Sequence, residues 1–256
     1  MGKLDNKVAI VTGGAKGLGK TDARMFAEEG AQVIITDVDE KMGQETAEEL
    51  GDAVTFLRHD VSNEQDWIDV IKQTQELLVG LHILVNNAGI VQVADPESTT
   101  FELWKRINAV CSDGIFLGCK HAIPAIRDSG GGSIINMSSI TALSGSPLVA
   151  AYSAAKGAVR AYSRTVAIHC KEKNYNIRCN AIFPGGIDTP MLASVFGAPP
   201  KSSVDTPPNA RPAHPEELAS LILYLASDDA SYITGGEFVV DNGATAGSMA
   251  TDRKPD

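Results

Sequence analysis

Residues 8–19, VAIVTGGAKGLG, place a glycine-rich turn between an apolar run and a helical stretch. The run 8–11 is apolar without alternation, which predicts a buried strand, and a helix is predicted over 17–29. Glycines let the backbone approach a pyrophosphate closely, and a helix N-terminus supplies N–H groups and a positive dipole end. The spacing differs from the standard G-x-G-x-x-G, but its place between strand and helix favours a phosphate loop over a plain turn. We assign to this loop Gly13, Lys16, Gly17, Leu18 and Gly19.

The same alternation of short apolar runs and longer helical stretches continues along the chain. Further strands are predicted at 32–36, 53–57, 82–85, 133–137, 176–182 and 237–240. Helices are predicted at 40–50, 63–79, 101–127, 151–171 and 215–226. Such a pattern predicts one α/β domain over 1–256, a doubly wound Rossmann-type fold with a mostly parallel seven-stranded sheet and helices on both faces. The proline-rich stretch 190–215 is predicted to be a long irregular substrate loop.

Length and composition exclude several classes of protein. With 256 residues, 43% hydrophobic and 21% charged, the chain is not expected to be disordered. A net charge of −10 disfavours nucleic acid and anionic membrane surfaces as partners, and no apolar stretch is long enough to span a membrane. The four cysteines and five histidines show no metal-ligand spacing. We therefore expect a cytoplasmic protein with reduced thiols, without a metal site.

Asp37 ends the second predicted strand and lies twenty residues after Gly17. A carboxylate at this place can accept hydrogen bonds from the adenosine ribose hydroxyls, and it would repel a 2′-phosphate. The expected cofactor is therefore NAD rather than NADP. Two alternatives stay open: Asp37 could be a turn residue, and Lys16 could favour a phosphate and weaken the preference.

Tyr152 and Lys156 lie four residues apart on a predicted helix and therefore share one face. A free tyrosine has a pKa near ~10, and a neighbouring ammonium would stabilise its phenolate and lower that pKa. Ser139, thirteen residues before Tyr152, can donate a hydrogen bond to a carbonyl or alkoxide oxygen. Alone, a Tyr-x-x-x-Lys pair is common on ordinary helices.

Five motifs occur in one order and carry a family resemblance over nearly the whole chain. They are Gly13-x-x-x-Gly17-x-Gly19, Asn86-Asn87-Ala88-Gly89, Ser139, Tyr152-x-x-x-Lys156 and Pro184-Gly185-Gly186-Ile187-x-Thr189. Together they resemble the short-chain dehydrogenase/reductase family. Segments such as His59-Asp60-Val61-Ser62 look most similar to bacterial hydroxysteroid dehydrogenases and other secondary-alcohol dehydrogenases.

The resemblance implies a role for each matching residue. Tyr152 would be the general acid/base, Lys156 would bind the nicotinamide ribose and lower the tyrosine pKa, and Ser139 rather than Ser138 would orient the substrate oxygen. Asn108 would hold a water in a proton relay from the lysine. The remaining residues implied to contact NAD are Asp60, Val61, Asn87, Ala88, Gly89, Pro184, Gly185, Ile187 and Thr189.

The expected reaction is the interconversion of a secondary alcohol and its ketone with NAD. An apolar segment at 143–149 and an apolar part of 191–211 favour a hydroxysteroid or another hydrophobic alcohol. Small cyclic or aliphatic alcohols and polyols stay open, as does a catalytically silent NAD-binding sensor. A 3-oxoacyl thioester reductase is disfavoured by Asp37, because such enzymes usually use NADPH. The two long predicted helices resemble those that pair between subunits in the family, which implies a homotetramer.

Overall fold

Seven strands form one parallel sheet in the computed structural model, which describes residues 2–197 and 206–247. The strands are β1 Val8–Thr12, β2 Gln32–Asp37, β3 Val54–Arg58, β4 Ile83–Asn86, β5 Gly132–Met137, β6 Ile177–Pro184 and β7 Glu237–Val240. Their spatial order is β3-β2-β1-β4-β5-β6-β7, and every neighbouring pair is parallel. The predicted doubly wound α/β fold is confirmed.

Helices cover both faces of this sheet because its strands are apolar on both sides. They are α1 Gly17–Glu28, α2 Glu40–Leu50, α3 Glu64–Leu77, α4 Phe101–Asn108, α5 Gly114–Asp128, α6 Ala150–Glu172, α7 Pro190–Phe196 and α8 Pro215–Ala226. Alternate residues of β1 show the division: Ile10 packs with α3, α5 and α6, whereas Val11 packs with α1 and α8. Two separate cores result, one on each face of the sheet.

The strand order reverses between β1 and β4, which are neighbours in space but not in sequence. In open α/β sheets, ligands bind outside the carboxyl ends of the strands at such a switch point. The glycine loop leaves β1 there, and Asn87 to Gly89 leave β4 beside it. The topology therefore brings together two motifs that are more than sixty residues apart in the chain.

Three predictions about secondary structure differ from the structure in detail. The helix predicted over 101–127 is two α-helices joined by a π-helical turn, Ala109–Asp113. The irregular loop predicted over 190–215 begins with α7, where Thr189 caps the helix and Pro190 occupies its first turn. A short 3₁₀ turn, Pro208–Ala210, lies further along, and 198–205 of this segment fall outside the described residues. Strand β6 also runs to Pro184, two residues beyond its predicted end.

Candidate active site

The glycine loop, which we call the glycine cradle, has no room for a side chain at Gly13 or Gly19. Gly13 has φ +66°, and a Cβ there would lie 2.9 Å from Cα of Ala88. A Cβ at Gly19 would press on the carbonyl oxygen of Gly13 and lie 2.6 Å from Nδ2 of Asn87. Only glycine leaves this space open, so the backbone can approach a bound phosphate group. The loop therefore fits the pyrophosphate of a dinucleotide.

Hydrogen bonds join the segment that follows β4, which we call the β4 outlet, to the carboxyl end of β1. Asn87 Nδ2 donates to the carbonyl oxygens of Thr12, at 2.9 Å, and Gly13, at 3.3 Å. The hydroxyl of Thr12 accepts from the backbone N–H groups of Asn87 and Ala88, both at 3.0 Å. Asn87 thus connects the two strand ends, and its hydrogen bonds fix the width of the cleft between them.

Asp37 lies at the end of β2 beside the glycine loop. Its carboxylate accepts hydrogen bonds from the backbone N–H of Asp39, at 3.1 Å, and of Ala15, at 3.4 Å. The side chain is partly exposed, so its remaining oxygen lone pairs face the cleft mouth or solvent. Lys16 is exposed at the start of α1 and makes no ion pair among the described residues. Partly buried Leu18 packs against the core on that face.

Asp60 and Val61 follow β3, the strand that pairs with β2 and ends beside Asp37. Asp60 accepts from the N–H and hydroxyl of Ser62, and these hydrogen bonds hold the pKa of its carboxyl below the ordinary value. Val61 is buried against the start of α5 at Gly114. Both residues line the sheet edge that continues from the end of β2.

The segment after β6 covers the cleft from the opposite side. Pro184 pairs with Val240 in the sheet, and Gly185 N–H donates to the Val240 carbonyl. Ile187 is buried and forms a bridge with Ala213. Thr189 faces the glycine loop, since its Cβ and Cγ2 would lie 3.5 Å from a Cβ at Gly17. The predicted cofactor residues of this segment therefore lie across the cleft from the glycine loop.

Tyr152, Lys156 and Ser139 come together at the carboxyl ends of β4 and β5. Ser139 is close enough to Tyr152 to lower its pKa, and the Ser139 hydroxyl accepts from the Thr141 N–H at 3.2 Å. Lys156 is buried; its Nζ donates to the Met137 carbonyl at 2.6 Å and lies 5.5 Å from the centre of the Tyr152 ring.

The neighbouring serine has a different partner. Ser138 is buried and donates to the Lys156 carbonyl at 2.9 Å, which ties β5 to α6. Its hydroxyl is therefore occupied by the helix backbone, and Ser139 is the serine beside Tyr152. The thirteen-residue spacing thus selects the serine that the structure brings to the tyrosine.

Burial opposes the expected lowering of the tyrosine pKa. It raises the pKa of Tyr152, nearby Cys111 raises it further, and Ser139 lowers it. Burial also lowers the pKa of Lys156. Lys156 Nζ donates to the Met137 carbonyl and lies beside the tyrosine ring, so the activation of the phenolate by the ammonium stays a prediction.

The side chain of Asn108 bonds to the backbone of its own helix. Its Nδ2 donates to the Trp104 carbonyl one turn earlier, at 2.8 Å, and its water-mediated role stays a prediction. Cys111, in the π-helical turn, also approaches the group. A Cβ at Gly89 would lie 3.6 Å from Cys111 Sγ and 3.8 Å from Lys156 Nζ. A uniform helix would put Asn108 and Cys111 on the same face, so helical periodicity could not have chosen between them.

The described residues contain neither a candidate metal cluster nor a helix that could span a membrane. Within 2–197 and 206–247, no group of three or more histidine, cysteine or carboxylate side chains could hold a metal ion. None of the helices in those ranges combines the length and apolarity that crossing a membrane requires.

Comparison with known proteins agrees with this geometry. Residues 13–245 match the family described as enoyl-(acyl carrier protein) reductase. An NADP-dependent (R)-specific alcohol dehydrogenase of Lentilactobacillus kefiri is 42% identical over 95% of this chain and 98% of its own. A 3-beta-hydroxysteroid dehydrogenase of Comamonas testosteroni is 42% identical over 94% and 96%. A cyclopentanol dehydrogenase of Comamonas sp. is 39% identical over 96% and 100%. The glycine cradle, the Ser139–Tyr152–Lys156 cluster and these matches together show that the chain belongs to the short-chain dehydrogenase/reductase family.

Proposed function

We propose that this protein is an NAD-dependent dehydrogenase that interconverts a hydrophobic secondary alcohol, such as a hydroxysteroid, and its ketone. The observation that carries the proposal is the meeting of Tyr152, Ser139 and Lys156 at the strand ends beside the glycine cradle. The nicotinamide cofactor, when bound, accepts hydride from the alcohol carbon or donates it to the ketone. Proton transfer and substrate orientation fall to the protein.

Each member of the cluster has one chemical role. Tyr152 exchanges a proton with the substrate oxygen, and Ser139 donates a hydrogen bond to that oxygen as its charge changes. Lys156 holds a positive charge beside the tyrosine and has N–H donors for a ribose hydroxyl. Because burial raises the pKa of Tyr152, we expect its phenolate to form only once further positive charge enters the cleft.

The preference for NAD rests on Asp37. Backbone N–H groups of Ala15 and Asp39 hold its carboxylate beside the loop, where a ribose hydroxyl can donate to it. A phosphate at the same place would meet a negative charge, which costs affinity. One relative is named NADP-dependent, and in this chain the Asp37 carboxylate is the feature on which we base the choice of NAD.

A hydrophobic substrate is favoured by the apolar rim near Tyr152. Ala94 bonds to the backbone on both sides of Val149, at 2.9 Å and 3.1 Å, and this joins the β4 outlet to the start of α6. The neighbouring Val93 and Leu148 are 50% and 47% exposed, and Met191 of the covering segment is 37% exposed. Apolar side chains left this accessible at a cleft mouth suit an apolar ligand. We assign 190–215 to substrate binding on this basis.

A second candidate is a dehydrogenase of small cyclic or aliphatic alcohols. The cyclopentanol dehydrogenase of Comamonas sp. and the alcohol dehydrogenase of Lentilactobacillus kefiri are about as similar to this chain as the steroid enzyme. An apolar rim also admits small apolar rings, so only relative rates separate the two candidates.

We further propose a homotetramer, in which α4, α5 and α6 pair between subunits. These helices leave Trp104, Phe116 and Ile168 40%, 46% and 51% exposed in the single chain. Burying such side chains at an interface would stabilise the assembly. Light scattering coupled to gel filtration tests this directly, and a monomer of 27.0 kDa would refute it.

The test of function measures the formation of NADH from NAD⁺, or of NADPH from NADP⁺, with hydroxysteroids, cyclic and linear alcohols and polyols. We expect the highest kcat/KM for a hydroxysteroid with NAD⁺. Tyr152→Phe should keep NADH binding and lose 10²-fold or more in kcat. Tyr162→Phe, in the same helix but packed edge-on against Phe116, is the matched control and should keep its activity. Unchanged turnover in Tyr152→Phe would refute the assignment, and NADH binding without turnover of any alcohol would favour a sensor.

A further inference from the structure

Cys111 lies at the centre of the π-helical turn and is completely buried. Its thiol donates a hydrogen bond to the Ile90 carbonyl at 3.2 Å. Its sulfur also accepts one from the Ile90 N–H, at 3.3 Å. One side chain therefore satisfies both backbone groups of one residue in another element.

Ile90 is placed where its backbone position matters for the site. It follows Gly89 at the β4 outlet, and a Cβ at Gly89 would contact both Cys111 Sγ and Lys156 Nζ. The backbone that Cys111 holds is therefore the backbone that bounds the buried lysine. Any displacement of this segment would change the space between Gly89 and the Tyr152–Lys156 pair.

The helix around Cys111 departs from regular α-helical geometry. Gly114 N–H donates to the Ala109 carbonyl five residues earlier, so the turn is wider than an α-turn. Single π-turns within α-helices are rare and occur mainly at functional sites. The two bonds to Ile90 connect the widened turn to the strand outlet, which explains how the turn keeps one position.

We propose that Cys111 is a positioning residue for the dehydrogenase reaction: by bonding both backbone groups of Ile90, its thiol fixes the π-turn and the β4 outlet relative to Lys156 and Tyr152. This inference rests on the proposed function for its activity readout. Cofactor affinity supplies an independent one, because the β4 outlet is also a wall of the cofactor cleft.

Cys170 supplies the matched control. It is also fully buried, but it lies on the core-facing side of α6 and has no hydrogen bond to its sulfur in the described part of the chain. Replacing either cysteine by alanine deletes a buried thiol and lowers stability through lost packing. Only the Cys111 variant also releases the Ile90 backbone. Serine at 111 keeps a donor and an acceptor in a slightly shorter side chain.

The experiment compares Cys111→Ala, Cys111→Ser and Cys170→Ala in the full chain, by kcat, KM and NADH affinity of the folded fraction. We expect Cys111→Ala to lower kcat at least tenfold and to weaken NADH binding severalfold. Cys111→Ser should restore most of both, and Cys170→Ala should keep both while its Tm falls. If Cys111→Ala does not fold, Cys111→Val, which fills the space without hydrogen bonds, takes its place.

Two results would overturn the inference. One is a non-bonding variant at position 111 with the kcat and NADH affinity of Cys170→Ala, which would reduce the thiol to a core filler. The other is a serine variant as impaired as the alanine variant, which would exclude the hydrogen bonds as the cause. If the wild type turned over no alcohol, the proposed function would fail, and the NADH affinities of the same variants would still decide the role of Cys111.

Discussion

Asp22 is a buried carboxyl without a hydrogen-bond partner among the described residues. It lies in α1 with no solvent exposure, and neither carboxylate oxygen has a hydrogen-bond partner in the described residues. Burial is the sole cause that raises the pKa of Asp22 well above its ordinary value. The native state therefore holds this carboxyl protonated at pH values where the unfolded chain ionises it.

The sign and size of the effect follow from proton linkage. Above the unfolded pKa of ~3.9, the native state binds one more proton at this site than the unfolded state. The free energy of unfolding therefore falls by about 1.4 kcal/mol per pH unit until the native pKa is reached. Asp22→Asn removes the ionisation and keeps the shape. For each pH unit between the unfolded and the native pKa, the variant should gain about 1.4 kcal/mol relative to wild type, or roughly 3–6 °C in Tm for a chain of this size.

The assay is the Tm of both proteins in buffers from pH 5 to pH 8, compared as a difference at each pH. Asp69→Asn is the control: this carboxyl is exposed on α3 and bonded to Gln65, so it is hydrated in both states and its difference should stay constant. Because Asp22 lies outside the active site, Asp22→Asn should retain activity. A Tm difference that does not grow with pH would refute the argument, since it would mean that the native carboxyl is already ionised or hydrated.

Three further predictions concern the site. Asp37→Ser removes the ribose acceptor, so kcat/KM for NAD⁺ should fall about tenfold, by ~1.5 kcal/mol, while that for NADP⁺ rises; an unchanged ratio of the two would contradict the role of the carboxylate. Ser139→Ala should lower kcat by ~10²–10³-fold with little change in NADH affinity, which stopped-flow kinetics and a binding titration separate. Gly19→Ala places a Cβ against the Gly13 carbonyl and Asn87. Calorimetry should therefore show a lower Tm, corresponding to a loss of ~1–3 kcal/mol in the free energy of unfolding, and fluorescence should show weaker NADH binding. A variant with wild-type Tm and NADH affinity would mean that the loop accommodates a methyl group.

The glycine loop and the position of Asp37 beside it were predictable because their sequence signals are local. Gly13 to Gly19 combine a strand end, a positive-φ turn and a helix start within a few residues. Asp37 ends the next strand, and strand ends of a parallel sheet meet at one edge. Its place beside the loop therefore follows from the order of the elements, and the structure brings it to the Ala15 N–H.

The surroundings of Tyr152 and Lys156 were predicted less completely because they depend on contacts between distant segments of the chain. Asn108 and Cys111 lie on one face of any regular helix, and the π-turn that brings the second of them to Ile90 has no signal in the periodicity. The short helix α7 was hidden by the prolines around it, although Thr189 and Pro190 form an ordinary helix start. The pKa of Tyr152 depends on burial, which sequence spacing does not contain.

The sequence by itself determined the doubly wound sheet, the glycine-rich turn between β1 and α1, and the helical face shared by Tyr152 and Lys156. Each of these follows from the periods of strands and helices, which are set by neighbouring residues. Only the tertiary structure decided that a π-turn brings Cys111 to the Ile90 backbone, that Lys156 Nζ donates to the Met137 carbonyl, and that Asp22 is buried without a hydrogen-bond partner among the described residues. These outcomes depend on which side chains from distant parts of the chain exclude water from one another, and that exclusion is a property of packing rather than of spacing.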